Sequence, residues 1–183
     1  MLLLALNVLS ISTLFVLLFT NSSEPELELD EPISMDRYAE ISLESDLEAV
    51  ERIINQFLEK ESNNQPLQYQ VIVNDKVRVV GKIVAFGKDI NMTMDLIPIV
   101  TEEGNVQLKV DDLTLGSFSL PVSFVLNYVN SQYAIPNEVV IDKEEESIYV
   151  LLTELEVGSG YKIKANDINL EEERVEVTLL IPQ

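Results

Sequence analysis

Residues 67–115 read LQYQVIVNDKVRVVGKIVAFGKDINMTMDLIPIVTEEGNVQLKVDDLTL, and their pattern has a period of two. Leu67, Tyr69, Val71 and Val73 alternate with polar neighbours, as do Ile90, Met92, Met94 and Leu96, and then Val106, Leu108 and Val110. Successive side chains of a strand point to opposite faces, so this alternation marks strands with one buried and one wet face. A further strand is expected from Val77 to Phe86. Asn74-Asp75, Gly87-Lys88 and Glu102-Glu103-Gly104-Asn105 supply turns between them. Such turns are too short for parallel crossovers, so the stretch is an antiparallel meander. Pro98 cannot donate to a ladder and is expected at an edge or a bulge.

Working outward, a helix is expected on each side of the meander. Ser45 with Glu48 fits a capping box, and Leu47, Val50, Ile54, Phe57 and Leu58 follow at helical spacing until Gln65-Pro66. The second helix starts near Leu120, with Pro121 at its first position, where a missing N–H is harmless. Four more strands follow: Val139 to Ile141, Ile148 to Leu152, Tyr161 to Leu170, and Val175 to Ile181.

Before all of this, Met1 to Thr20 carries no charge, no Gly and no Pro. A helix of about 20 apolar residues matches the hydrocarbon core of a bilayer. The run is longer than a signal-peptide core and lacks a basic start, so it reads as a retained anchor rather than a cleaved leader. The first basic residue downstream, Arg37, stands among Glu24, Glu26, Glu28, Asp30, Glu31 and Asp36. By the positive-inside rule the remainder of the chain is expected outside the cell membrane. The segments are then an anchor over 1–20, an acidic tether over 21–43 and an extracytoplasmic domain over 44–183. The expected fold class is α+β: a curved antiparallel sheet packed on or around two helices, preceded by an N-terminal transmembrane helix.

Composition narrows the function. The 183 residues hold 32 acidic and 12 basic side chains, a net charge of −20. Phosphate contacts need clustered Lys and Arg, so nucleic acid is not an expected partner. There is no Cys and no His, which removes thiolate and imidazole ligands and the usual nucleophile–base pairs. Ser117 and Ser119 lack the Gly-x-Ser-x-Gly elbow. Asp142 to Glu146 and Glu171 to Glu173 fall in expected hairpin turns, where neighbouring carboxylates diverge instead of converging on a cation. Neither an enzyme, a metal nor a cofactor is expected.

The second helix is the informative one. Val122, Val125, Leu126 and Val129 form one stripe, Ser123, Asn127 and Asn130 a polar one, and Phe124 and Tyr128 a third face. A helix apolar on two faces is sandwiched between layers or borders a cavity. Aromatic pairs at this spacing are most often core packing against a neighbouring strand. The functional expectation is that Phe86, Phe118, Phe124, Tyr128 and Tyr133 line a site for a lipid or other apolar ligand between sheet and helix. The alternative is a scaffold protein of the cell envelope that docks another membrane protein through its acidic surface or a sheet edge.

Several short stretches carry a resemblance: Leu58-Glu59-Lys60-Glu61-Ser62, Pro66-Leu67-Gln68-Tyr69, Ala85-Phe86-Gly87-Lys88, Gly116 to Val122, Ile148-Tyr149-Val150 with Leu152-Thr153-Glu154, and Ser159-Gly160-Tyr161-Lys162. Through them, Leu47 to Pro182 resembles the YpmS-like family of membrane-anchored proteins of Gram-positive bacteria. The resemblance implies a single anchor with the domain outside, and it implies no activity. It also implies Lys or Arg ahead of the span, which Met1 to Thr20 lacks.

Overall fold

A computed structural model describes residues 38–61, 69–85, 87–133, 135–155, 157–158 and 160–183. All of them fall within the unit Ser34–Gln183. The alternating stretch forms β2 (Tyr69–Val73), β3 (Val77–Ala85), β4 (Lys88–Val100) and β5 (Val106–Leu115). Ahead of it come β1 (Tyr38–Asp46) and α1 (Leu47–Glu61). After it come α2 (Val122–Gln132), β6 (Val139–Asp142), β7 (Ser147–Val150), β8 (Lys162–Asn169) and β9 (Arg174–Pro182).

These strands make two antiparallel sheets. One has six strands in the order β2-β3-β4-β5-β7-β6, the other three in the order β1-β9-β8. Along β4, Ile90, Met92, Met94 and Leu96 are buried, as their alternation requires. The β4–β5 register slips where Asp95 faces Asp112 and Leu96 faces Val110, which leaves Asp111 over as a bulge. The pairing of β3 with β4 stops at Val77 and Leu96. Pro98 therefore has only β5 beside it, opposite Leu108, and no ladder bond is lost on the β3 side.

One core joins the elements: Leu47 of α1, Val71 and Val73 of β2, Val125 and Leu126 of α2 and Val175 of β9 share a single cluster. The two sheets also touch through backbone. The Ala165 N–H donates to the Gly104 carbonyl at 2.7 Å. Gly104 has φ +86°, and a Cβ there would lie 2.6 Å from Cβ of Lys164. Only glycine meets both demands.

Helix α1 covers the outer edge of β2. The Asn55 side chain donates to the Val71 carbonyl at 2.7 Å and accepts from the Val71 N–H at 3.0 Å. Glu51 accepts from the Val73 N–H at 2.8 Å. Side chains here take the part of a neighbouring strand at Val71 and Val73.

The fold expectation needs correction. The described residues are mostly antiparallel strand in two sheets, not one curved sheet, because β1, β8 and β9 pair among themselves. Residues 38–43, expected as the end of the acidic tether, belong to β1. Edge strands tolerate charge on their wet positions, so acidity alone did not mark a linker. Ser45 is likewise in β1, and the helix is capped by Asp46, whose carboxylate accepts from the Ala49 N–H at 2.7 Å. Pro121 takes the N-cap position of α2, one residue before the helix. Against the expected N-terminal transmembrane helix, no helix among the described residues is long and apolar enough to cross a membrane. Residues 1–20, on which the anchor and its outward orientation rested, lie outside the described residues.

Candidate functional site

The site grows from the β3–β4 hairpin. Ile83 and Ile90 pair across it, and Met92 pairs with Leu115 on the other side of β4. The Gly116 N–H extends the ladder by donating to the Asn91 carbonyl at 2.8 Å. The chain then turns back, the Phe118 N–H donating to the Leu115 carbonyl at 2.9 Å. This turn needs Gly116 at φ +54°, and a Cβ there would press on Cγ2 of Ile90 at 3.1 Å. It delivers Phe118 and Leu120 to one side of the hairpin, and Pro121 opens α2 directly after them.

Helix α2 lies on its aliphatic stripe. Val125 and Leu126 are each 1% exposed, and Val122 and Val129 pack beside them. The neighbouring face bears Phe124 and Tyr128. Between this face, the turn and the hairpin lies a slot of about 200 Å³. Ile83, Ile90 and Leu115 form its floor, Val125 and Tyr128 one wall, and Phe118, Leu120 and Phe124 its mouth. Phe118 and Phe124 are 50% and 53% exposed, respectively. Two half-exposed phenyl rings flanking an apolar recess form a surface that water wets poorly.

Tyr128 is more than lining. Among the described residues, β2 reaches β3 as far as Gly81, opposite Tyr69. Beyond it, the Tyr128 hydroxyl donates to the Val84 carbonyl at 2.5 Å, and the Tyr133 hydroxyl accepts from the Val84 N–H at 3.0 Å. Tyr128 therefore offers the slot its ring and commits its hydroxyl elsewhere. None of the other lining side chains is ionisable, so the slot offers shape and apolar surface and no acid–base group.

Of the five residues expected from sequence, Phe118, Phe124 and Tyr128 meet in this slot. Tyr133 stands apart from it and shares with Tyr128 only a hydrogen bond to the backbone of Val84. Phe86 lies outside the described residues. Sequence reading missed Ile83, Ile90, Leu115, Leu120 and Val125. Their signal was that of ordinary core, since a strand or helix residue lining a recess has the same periodicity as one lining a packed interior.

Charged groups gather elsewhere. Arg78 binds Asp95 with two bonds, at 2.6 and 2.8 Å, across β3 and β4. That bidentate contact holds the Asp95 carboxyl below its ordinary value. Lys76 pairs with Asp111, the bulged residue. Glu145 accepts from the Tyr149 hydroxyl at 2.6 Å, which pushes that phenol up to about 12. The acidic turns satisfy backbone: Asp142 accepts from the N–H groups of Glu144 and Glu145, and Asn169 from that of Glu172. No group of three or more carboxylates that could hold a metal ion occurs among the described residues.

Comparison with known proteins settles the lineage. The model of a family described as "Uncharacterized protein conserved in bacteria (DUF2140)" matches residues 1–181. The chain belongs to this family. It is 37% identical over 136 residues to a protein of Bacillus subtilis (strain 168) described as "Uncharacterized protein YpmS", an alignment covering 74% of this chain and 72% of that one. The YpmS-like resemblance read from the sequence is thus shown. No solved structure matches the chain. The family brings no activity with it, so the reading of function rests on the slot.

Proposed function

We propose that this protein is a binding module that takes a short apolar group, such as the end of an acyl chain or a small ring, into the slot between the β3–β4 hairpin and α2. One observation carries the reading: an apolar recess of about 200 Å³ with half-exposed Phe118 and Phe124 at its mouth. Its size argues for a segment rather than a whole lipid. Pockets that swallow drug-sized molecules run from about 300 Å³ upward, while a dry cavity of about 150 Å³ accepts benzene. The surrounding charge of −20 disfavours an anionic head, so the ligand is neutral or zwitterionic where it leaves the slot. Binding, not catalysis, suits a lining whose single ionisable side chain, Tyr128, is already hydrogen-bonded to Val84.

The test is native mass spectrometry of the full chain purified from bacteria, before and after solvent extraction. The reading expects an added mass that extraction removes, and that returns when a medium-chain alcohol is offered. A bare protein mass with no uptake of alcohols or small aromatics makes the recess a packing defect.

A further inference from the structure

Among the described residues, four strands stand at sheet edges: β2 and β6 in the larger sheet, β1 and β8 in the smaller. Edges expose unpaired backbone groups, and proteins blunt them by cover, shortness, bulges or lysines. Asn55 and Glu51 cover β2. β6 is only four residues long. β8 carries Lys162 and Lys164 and is bulged between Ala165 and Asp167. β1 has no cover among the described residues, no bulge and no lysine; its edge charges are Glu40 and Glu44, which repel an acidic strand and leave the edge open to a basic one. Its nine residues pair with β9 without a break in register, and no strand lies on its other side among the described residues.

The side chains of β1 say what could lie there. Glu40 to Glu44 are all exposed. Glu40, Ser42 and Glu44 share one face, while Ile41 and Leu43, 45% and 48% exposed, share the other. We propose that the free edge of β1 is a docking site for an extended segment of another protein in which basic and apolar residues alternate, adding a fourth strand to the three-stranded sheet.

The alternation follows from sheet geometry. Residues directly opposite on paired strands project to the same face, and their side chains interact. A matching strand therefore sets Lys or Arg against Glu40 and Glu44 and apolar side chains against Ile41 and Leu43. Glu40 already stands 3.8 Å from Lys164, so Glu44 offers the freer charge. A second copy of the chain fits poorly. Antiparallel self-pairing centred on Ser42 sets Glu40 against Glu44, and two chains of charge −20 repel at long range. Main-chain bonds supply affinity in this mode and the alternating side chains supply selectivity. This edge belongs to the other sheet from the apolar slot and is independent of it.

The test titrates the full chain with a blocked nine-residue peptide alternating Lys with Val or Thr, and reads amide hydrogen exchange along residues 38–46. Controls are the Glu-for-Lys peptide and two isomers of the Lys peptide, each N-methylated along one of its two edges. The expected result is exchange slowed by about tenfold or more across β1 and an affinity that falls about tenfold between roughly 50 and 300 mM salt. One methylated isomer should bind like the parent and the other should not, and Glu44→Lys should weaken binding. Equal binding of the Glu peptide, equal binding of both methylated isomers, or protection of 38–46 that rises with protein concentration alone would overturn the proposal, the last in favour of a second copy.

Discussion

Tyr128 donates its hydroxyl to the carbonyl of Val84 at 2.5 Å, across the part of β3 that β2 leaves uncovered. Tyr133 accepts from the N–H of the same residue. Two side chains thereby satisfy both backbone groups of one edge residue, and one of them also walls the slot. This gives Tyr128 two separable parts, a ring and a hydroxyl. In Tyr128→Phe the hydroxyl is lost and the ring kept. Urea unfolding should show a loss of about 1 kcal/mol, the usual worth of such a bond. Octanol affinity should stay within about twofold, because the slot meets only the ring.

Phe124 is the reverse case. Half of it is exposed, so its contribution to the core is small and its contribution to the mouth of the slot is large. Phe124→Ser should change stability by no more than about 1 kcal/mol and weaken octanol uptake by about tenfold, corresponding to the lost apolar contact. Calorimetric titration reads the second quantity. Octanoate should bind more weakly than octanol to the unaltered protein, and the gap should narrow as salt rises.

Asn55 guards a different edge. Replacing it with Ala removes both side-chain bonds to Val71 and leaves that residue's N–H and carbonyl half-buried without partners. Asn55→Ala should cost about 2–3 kcal/mol in urea unfolding. Light scattering on warming should also show earlier association, since β2 becomes an open edge.

Acid sensitivity should trace in part to Asp95. Arg78 holds its carboxyl below the ordinary value of 3.8, so the folded state releases that proton more readily than the unfolded chain does. A depressed carboxyl contributes stability that is fully present above the unfolded value. That contribution starts to fade as pH drops through 3.8 and is gone below the folded value. In Arg78→Met the difference in stability from the unaltered protein should be greatest near neutral pH and shrink below pH 3.8. Urea midpoints measured along a pH series would show it.

The sequence revealed what is local. Period-two alternation placed β2 to β5 because each strand buries one face, and strands were also expected where β6 to β9 lie. Three of the five residues expected at a site, Phe118, Phe124 and Tyr128, line the slot, and the last two were legible because they sit off the aliphatic stripe of their own helix. What stayed hidden is long-range. Nothing in Tyr38 to Asp46 announces β9 as its partner, more than 120 residues on, so its acidic residues resembled a linker. Asp46 outcompeted Ser45 as helix cap because the strand runs one residue further than a capping box allows. The lining residues Ile83, Ile90 and Leu115 carry ordinary core periodicity, and only tertiary packing tells a recess from a filled interior.

The measurement that bears most directly on the slot is methyl NMR of Ile83, Ile90 and Val125 during titration with octanol. A binding slot predicts saturable shifts confined to these methyls and their neighbours, with a midpoint about tenfold higher in Phe124→Ser and within about twofold of the unaltered protein in Tyr128→Phe. Shifts that never saturate, that spread over the exposed isoleucines of the sheet faces, or whose midpoint is unmoved in Phe124→Ser would contradict it.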